Sequence, residues 1–333
     1  MCIRDRSTIA VDAMGGDSAP EEVVKGAILA KQEGIDVILS GDKNLILSYL
    51  GDEKIPIVDY PQVISMDEDP AKAVRTQKNS SILGALTLLK EKKADAVFSA
   101  GSTGATLIGS ISVLGKIKGV IRPTIASVIP SSEKEVILVD SGANLEVKPK
   151  ILYQFAVMGS KLAELLFDIK NPKIGLINNG EESTKGRDLE KSTYKLLNTS
   201  DLNFVGNVEG KDFANSKVDV FVTDGFTGNI VLKTLQGVAK LQMNLIAESL
   251  KKNLFKPLLK PVKNALSPVK KLLNPNSTNG SYLLGVNGLV IIGHGSSNAE
   301  AIKNALIFTN KAIEKKFISN FSDVSNELWA IKI

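Results

Sequence analysis

The chain of 333 residues contains one cysteine and one histidine. A single cysteine, Cys2, excludes an internal disulfide and any zinc site built from several cysteines, and this usage is typical of a reducing compartment. A single histidine, His294, excludes a metal site that needs several histidines, and any Ser-His-Asp triad would have to use this residue. Catalysis by a cysteine-histidine pair is therefore disfavoured.

Long apolar runs are also missing. No run approaches the ~20 residues that cross a bilayer, and the chain reaches Asp12 before a signal-peptide core can form. We therefore predict a cytoplasmic protein that is not integral to a membrane. Residues 1–7 show no hydrophobic periodicity, and we interpret them as a disordered or spurious leader before a single catalytic domain over residues 8–333.

Nucleotide-binding motifs are absent as well. No G-x-G-x-x-G follows a strand-like run and no G-x-x-x-x-G-K-S/T is present, so ordinary nucleotide binding is disfavoured. Asp12, Asp17, Asp140 and Asp224 are of the residue type that binds Mg²⁺, but aspartate at a strand end more often caps a helix or a turn. We predict no metal and no cofactor.

Acidic residues are absent between Glu248 and Glu300, where seven lysines occur. The chain carries a net charge of +5, and removing these seven lysines changes the balance from 41 basic against 36 acidic residues to 34 against 36. Because the basicity is local, its partner should be local too. This distribution argues against nucleic acid as a partner.

The basic segment mixes lysine with leucine, phenylalanine and valine, and it is broken by Pro257, Pro261 and Pro268. This pattern favours short amphipathic helices around a bend, and we predict a helical hairpin arm over residues 240–280. The arm can enter an anionic membrane surface, receive an acidic protein or pack on a dimer partner. The predicted membrane-contact residues are Leu254, Phe255, Leu258, Leu259 and Val262.

Strand-like and helix-like runs alternate over nearly the whole length. This order predicts an α/β fold with helices on both faces of a mostly parallel sheet. Residues 122–130 and 135–141 are joined by a short connection, which predicts an antiparallel hairpin within that sheet. Residues 69–93 carry one long helical pattern, and Pro20 suits the first turn of a helix from Glu21.

The most informative stretch is residues 96–108, where a buried-looking run meets a small polar cluster and then a helix-like run. Gly101 and Gly104 permit the tight turn that a strand-to-helix connection needs. Such a turn directs backbone N–H groups and the hydroxyls of Ser102 and Thr103 to one point, where an anion such as phosphate is the natural ligand. The alternative is a connection that binds nothing.

Glycine occurs with aspartate, asparagine, serine or threonine at six predicted strand ends. These ends are residues 12–17, 99–104, 140–144, 178–182, 224–229 and 293–297. Since ligands of open α/β sheets bind beyond the carboxyl ends of the strands, we expect the six ends to share one polar site at one edge of the sheet. Lys185 is either a cation of that site or an ion-paired surface lysine, and His294 is either a ligand contact or a buried ring.

These loops resemble a known family. The resemblance covers residue 8 to the C-terminal helix and rests on motifs in a fixed order: IAVDAMGGD (9–17), SAGSTGA (99–105), RP (122–123), VDSGAN (139–144), GEE (180–182) with KG (185–186), FVGNVEG (204–210), TDGFTGNI (223–230) and GHGSS (293–297). In these motifs the chain is similar to the bacterial acyl-(acyl carrier protein):phosphate acyltransferases of phospholipid synthesis. It departs from the family pattern at Ser18, usually histidine, at Arg187, usually asparagine, and in the turn at residues 279–282.

The resemblance implies a three-layer α/β/α fold of the isopropylmalate-dehydrogenase and phosphotransacetylase type, a homodimer, and peripheral association with a membrane through the hairpin arm. The implied reaction transfers a fatty acyl group from acyl carrier protein to inorganic phosphate and yields acyl phosphate. A membrane acyltransferase that uses acyl phosphate is a further implied partner. Because phosphate is itself the nucleophile, positioning is the main task of the enzyme.

Site residues follow from the turn and from the resemblance together. The predicted phosphate-binding residues are Gly101, Ser102, Thr103 and Gly104. Asn144 and Lys185 are predicted to close around the phosphate or the thioester carbonyl oxygen, with His294 beside them. Further residues predicted to line the site are Asp12, Gly15, Gly16, Asp17, Asp140, Ser141, Glu181, Asp224 and Asn229.

Three other functions remain open at this point. A phosphotransacetylase that acts on acyl-coenzyme A would use the same site but would leave the lysine-rich segment without a role. A β-hydroxyacid decarboxylating dehydrogenase shares the fold but needs a metal-binding aspartate cluster and nucleotide contacts. A non-catalytic membrane adaptor that recruits an acyl carrier is the third.

Overall fold

The computed structural model describes residues 7–253, 280–322 and 324–325. Cys2 and the remainder of the leader up to residue 6 lie outside the described residues. All five predicted membrane-contact residues also lie outside the described residues: Leu254, Phe255, Leu258, Leu259 and Val262. Within the described ranges, no helix is both long and apolar enough to cross a membrane.

Strands and helices alternate along most of the described chain. The strands are β1 Thr8–Asp12, β2 Asp36–Gly41, β3 Ile57–Asp59, β4 Ala96–Ser99, β5 Thr124–Pro130, β6 Glu135–Val139, β7 Ile174–Ile177, β8 Phe204–Val208, β9 Val220–Val222, β10 Ser281–Leu284 and β11 Leu289–Ile292. The described helices are α1 Glu21–Gln32, α2 Lys43–Leu50, α3 Pro70–Thr76, α4 Ser81–Lys90, α5 Thr103–Val113, α6 Pro149–Phe167, α7 Asp188–Asn198, α8 Gly225–Asn253, α9 Ala299–Glu314 and α10 Phe317–Ser322. A 3₁₀ turn spans Gly210–Phe213.

The central strands are buried on both faces, which accounts for their continuous apolar character. In β4, Ala96 and Phe98 pack into one core cluster while Val97 packs into another. The first cluster also takes residues from α1, α6 and α9, and the second takes residues from α4 and α5. Helices therefore cover both faces of the sheet, and the predicted three-layer α/β/α architecture is confirmed.

Strand direction reverses within the sheet, whose order is β3-β2-β1-β4-β11-β10-β5-β6-β9-β7-β8. Strands β3, β2, β1, β4 and β11 form one parallel group, and β6, β9, β7 and β8 form another. Between the groups, β10 and β5 are each antiparallel to both of their neighbours. After three antiparallel pairings in succession, the second group runs opposite to the first.

This reversal corrects the expectation that six strand ends share one edge of the sheet. The carboxyl ends of β1, β4 and β11 lie at one edge, whereas those of β6, β7 and β9 lie at the other. The sequence predicts the antiparallel hairpin of β5 and β6, which the structure confirms. Nothing in the local sequence of β10, which follows the lysine-rich segment, indicates that both of its neighbours are antiparallel to it. The reversal of strand direction is therefore seen only in the tertiary structure.

The helical pattern over residues 69–93 is also corrected, because it forms two helices, α3 and α4. Between them, Ser81 donates its N–H to the carbonyl of Gln62, and Gln62 donates its own to the carbonyl of Asn79. This pairing with a distant segment interrupts the helix despite its favourable sequence. At the start of α1, Pro20 precedes the helix as its N-cap residue, with no side chain capping the helix.

Candidate active site

A cavity of about 410 Å³ lies where the first parallel group gives way to β10 and β5. The first group contributes the end of β4, at Gly101, and the end of β11, at His294. The second group contributes Ser141, in the loop after β6, and Asn229, near the start of α8. Thus Gly101, Thr103, Ser141, Asn229 and His294 are the residues of the predicted set that line one cavity.

The loop from Ser99 to Gly104 places the start of helix α5 at the cavity. The hydroxyl of Ser102 accepts the N–H of Ala105 and so caps α5. The N–H of Gly101 is already donated to the hydroxyl of Ser99, at 3.1 Å. The donors left for a ligand are the hydroxyls of Ser102 and Thr103 and the N–H groups of Thr103 and Gly104, which have no helical partner at the start of α5.

Asp12 lies beneath this loop as a buried carboxyl group. Its Oδ2 atom accepts the hydroxyl of Ser99 at 2.6 Å, while its Oδ1 atom is buried with no hydrogen-bond partner in the described chain. Burial raises the pKa of Asp12, and its hydrogen bonds oppose that rise. Asp12 therefore helps to fix the conformation of this loop through its hydrogen bond with Ser99.

Gly15, Gly16 and Asp17 join the Asp12 loop to the end of β11. A Cβ atom at Gly15 would lie 2.6 Å from Oδ2 of Asp12, and Gly16 has φ +125°, a conformation that favours glycine. Asp17 donates its N–H to the carbonyl of Gly295. These residues support the cavity wall and do not line it.

Three serine hydroxyls form a chain along the cavity. Ser141 donates to the carbonyl of Ile125, Ser127 donates to Ser141 at 2.8 Å, and Ser127 lies 2.7 Å from the hydroxyl of Ser281. Ser127 and Ser281 come from the paired strands β5 and β10. Sequence reasoning missed both, because nothing local indicates that these two strands pair.

His294 contacts two residues of α8 that sequence reasoning also missed, Lys233 and Gln236. Its Nε2 atom lies 3.3 Å from Nζ of Lys233 and 3.4 Å from Nε2 of Gln236. Burial lowers the pKa of His294, the charge of Lys233 lowers it further, and Asp17 opposes both effects. Lys233 follows the motif at residues 223–230 by less than one helical turn, and this nearness could have marked it as a candidate site residue.

Asn144 and Asp140 form a buried hydrogen-bonded unit behind Ser141. Oδ1 of Asp140 accepts the N–H groups of Gly142 and Ala143, and Oδ2 accepts both the backbone N–H and the side-chain amide of Asn144. The same amide also donates to the carbonyl of Pro123, at 2.9 Å. Both amide hydrogens of Asn144 are therefore used within the protein, and this residue fixes the loop.

Asp224 is paired with Arg187, which stands where the resembling family usually has asparagine. The guanidinium of Arg187 contacts Oδ2 of Asp224 and also pairs with Glu190 at the start of α7. Oδ1 of Asp224 accepts the N–H of Thr227 at 2.7 Å. This buried carboxylate is thus neutralised and caps α8.

Lys185 lies outside the cavity, in the exposed loop that follows β7. Glu181, its predicted neighbour, pairs with Lys217 at 3.0 Å. Among the described residues, no carboxylate forms an ion pair with Lys185, so the interpretation as an ion-paired surface lysine receives no support from these contacts. The same part of the chain contains no group of three or more histidine, cysteine or acidic residues placed to hold a metal.

The chain is similar to known proteins in both sequence and structure. Residues 7–320 match the model of a family described as fatty acid synthesis protein. The phosphate acyltransferase of Pelotomaculum thermopropionicum is 44% identical over 331 residues, which cover 98% of this chain and 96% of the relative. The chain belongs to the phosphate acyltransferase family. The family member from Desulfitobacterium hafniense is 46% identical over 317 residues, 93% of this chain and 95% of the relative.

Solved structures support the fold of this phosphate acyltransferase family member. A phosphotransacetylase from Streptococcus pyogenes superposes with a TM-score of 0.62 at 19% identity, over 94% of this chain and 95% of that one. A branched-chain phosphotransacylase from Enterococcus faecalis gives a TM-score of 0.57 at 15% identity, over 91% and 97% of the two chains. The predicted phosphotransacetylase-type fold is confirmed.

Proposed function

We propose that the chain transfers a fatty acyl group from acyl carrier protein to inorganic phosphate. The observation that carries this proposal is the cavity in which the start of α5 meets His294, lined by Thr103 and with no cysteine among its described lining residues. The curated relatives bear the name phosphate acyltransferase. Since phosphate is the nucleophile, the protein needs no covalent intermediate, and its task is to hold phosphate against the thioester carbonyl.

The first turn of α5 is the proposed phosphate site. Its unpaired N–H groups and positive end of the helix dipole favour an anion, and the hydroxyl of Thr103 is a further donor. Gly104 lets Pro70 of α3 pack closely on the start of α5, since a Cβ atom there would lie 2.6 Å from Cγ of Pro70. Gly101 contributes through the shape of the loop, because its N–H is donated to Ser99, whereas Ser102 accepts the N–H of Ala105 and keeps its own hydroxyl hydrogen as a donor.

The thioester carbonyl is proposed to face the second parallel group of strands. Asn144 and Asp140 hold the loop that carries Ser141 and Gly142 into the cavity. Lys185, without a carboxylate partner in the described residues, is the proposed cation for the oxyanion that develops during acyl transfer.

The experiment is acyl-phosphate formation from an acylated carrier protein. Transfer of labelled inorganic phosphate into acyl phosphate measures the reaction directly, and we expect labelled product only when both the acylated carrier and phosphate are present. Thr103→Val should raise the KM for phosphate, whereas Thr199→Val, at an exposed threonine after α7, should not. Product from acyl-coenzyme A but none from acyl carrier protein would contradict the proposed acyl donor.

A homodimer is proposed as the working assembly, because α8 carries an exposed apolar stripe. Phe226, Ile230, Val238, Leu241 and Leu245 are each between 46% and 57% exposed and recur at helical spacing. A second copy of the chain would cover this stripe. We expect Leu241→Glu with Leu245→Glu to convert a dimer to a monomer in analytical ultracentrifugation, and an unchanged mass would assign another surface to dimerisation.

A cytoplasmic location and peripheral attachment to an anionic membrane are proposed from sequence alone, through the lysine-rich segment at residues 250–273. That segment combines seven lysines with leucine, phenylalanine and valine and carries no acidic residue. Apolar insertion and electrostatic attraction to anionic lipid act together in such segments. This location would bring acyl phosphate close to a membrane acyltransferase that consumes it.

A further inference from the structure

Lys233 brings a positive charge into the cavity from helix α8. Its Nζ atom lies 3.3 Å from Nε2 of His294, and both side chains line the cavity together with Gly101 and Thr103. Gln236, nearly one turn further along α8, approaches the same Nε2 atom with its amide nitrogen at 3.4 Å. Two groups of one helix therefore converge on one ring nitrogen.

The chemistry of these groups defines the state of the ring. An ammonium group and an amide nitrogen are donors, so Nε2 of His294 is the acceptor and the ring proton lies on Nδ1. The surroundings of the ring also favour its neutral form, since burial and Lys233 lower the pKa of His294 more than Asp17 raises it. His294 is therefore neutral near pH 7, and Lys233 carries the charge of the pair.

The charge on Lys233 is not neutralised by a carboxylate within the described part of the chain. Other lysines are neutralised in this way, as Lys134 is by Asp219 and Lys217 is by Glu181. An ammonium group that faces a concave polar cavity and has a neutral ring as its neighbour is suited to an anion. The missing negative charge is expected to come from a ligand.

We propose that Lys233 binds phosphate in this cavity and that His294 positions its ammonium group. The inference rests on the proposed function, because phosphate is the nucleophile of that reaction. When one N–H of Lys233 is directed to His294, two remain for phosphate oxygens. Thr103 and the first turn of α5 face the same cavity, so phosphate would be held from two sides.

The role of Lys233 in the reaction is electrostatic. An oxygen of hydrogen phosphate attacks the thioester carbon, the bond between that carbon and sulfur breaks, and the proton of hydrogen phosphate passes to the sulfur. Lys233 keeps its own proton throughout and offsets the negative charge of the nucleophile. Acyl phosphate and free carrier thiol are the products.

The phosphodiester in the prosthetic arm of the carrier presents similar chemistry to inorganic phosphate, and steady-state kinetics distinguish the two. For Lys233→Gln we expect the KM for inorganic phosphate to rise on the order of 10- to 100-fold, as loss of a charge-assisted hydrogen bond implies, with the KM for acylated carrier unchanged. Lys233→Arg should retain most of the affinity. Lys240→Gln, on the same helix but outside the cavity lining, is the matched control.

Two outcomes of these kinetics overturn the assignment while the proposed function stands. A rise in the KM for acylated carrier alone would assign Lys233 to the phosphodiester. If Lys233→Gln leaves both KM values unchanged while Thr103→Val raises the KM for phosphate, Lys233 has no part in the site. Absence of acyl-phosphate formation by the unaltered protein would instead contradict the proposed function itself.

The single histidine provides a readout that needs no turnover, since its ring signals in NMR belong to His294 alone. Inorganic phosphate added without an acyl donor should raise the pKa of His294, because an anion beside Lys233 offsets the ammonium charge. Lys233→Gln should also raise that pKa and should remove the response to phosphate. A pKa that does not respond to saturating phosphate in the unaltered protein would overturn the proposal.

The positioning role of His294 is tested by two substitutions. His294→Gln retains an oxygen that accepts from Lys233, whereas His294→Leu removes the acceptor. We expect His294→Leu to raise the KM for phosphate with a smaller change in kcat, and His294→Gln to restore much of the affinity. Equal effects of the two substitutions on this KM would contradict positioning by a hydrogen bond.

Discussion

The hydroxyl of Ser99 donates to Oδ2 of Asp12 across 2.6 Å, and both side chains are buried. This bond joins the ends of the neighbouring strands β1 and β4. Because Ser99 in turn accepts the N–H of Gly101, Asp12 determines the shape of the loop that precedes α5. The support of the proposed phosphate site is therefore a buried carboxyl group that does not itself line the cavity.

Gly15→Ala tests this support. A Cβ atom at this position would lie 2.6 Å from Oδ2 of Asp12, which is buried and bonded to Ser99, and 2.7 Å from the backbone nitrogen of Gly101. We expect a loss of about 1–3 kcal/mol in the free energy of unfolding and a higher KM for phosphate. Gly210→Ala, where a Cβ atom meets nothing within 4 Å, is the control for urea unfolding.

Asn144→Ala tests whether Asn144 acts through structure. Its amide donates to Asp140 and to the carbonyl of Pro123, so its removal leaves a buried carboxylate with one donor fewer. We expect the free energy of unfolding to fall by about 1.5–3 kcal/mol, as for a hydrogen bond to a charged group. The exposed Asn44→Ala serves as the control, and equal unfolding midpoints for the two variants would refute this role.

His294 makes stability depend on pH in a predictable direction. Its pKa is lowered in the folded protein from the ordinary value of 6.5, so below that pH the unfolded chain binds a proton that the folded chain does not. The free energy of unfolding should therefore fall as the pH drops from 6.5 through the folded pKa, and should be unaffected by this ring above it. Urea unfolding at several pH values should show a weaker dependence for His294→Gln.

Lys185→Ala tests the proposed oxyanion cation. Because Lys185 is exposed, we expect no change in the unfolding midpoint, and because its proposed role is confined to the transition state, we expect kcat to fall by roughly 100-fold. The KM for phosphate should stay unchanged, in contrast with Lys233→Gln. Lys195→Ala, another exposed lysine nearby in sequence, is the control, and an unchanged kcat for Lys185→Ala would remove it from the site.

Leu258→Glu with Leu259→Glu tests membrane attachment through the lysine-rich segment. Two carboxylates should oppose apolar insertion and attraction to anionic lipid, so cosedimentation with phosphatidylglycerol vesicles should be lost. Acyl-phosphate formation measured without vesicles should be retained. Vesicle binding that survives both changes would assign the segment to dimer packing or to the carrier protein.

Much of the fold could be predicted from local sequence patterns. Buried strands read as continuous apolar runs, as in Ala96–Ser99, and the polar cluster after that strand indicates a helix start. The break between α3 and α4 could not be predicted in this way, because it depends on hydrogen bonds to Gln62. Local propensity favours one helix there, and pairing with a distant segment outweighs it.

The sequence by itself determined the alternation of strands and helices, the loop that opens α5, and membership of an acyltransferase family. Only the tertiary structure decided which polar side chains share a cavity. Strand direction and order depend on pairing between distant segments. The antiparallel pairing of β10 with β5 brings Ser281 and Ser127 into the cavity, while β9 lies between β6 and β7, whose following loop carries Lys185 outside the cavity. Lys233 reaches His294 across 61 positions of the chain, a contact that packing creates and no local pattern contains.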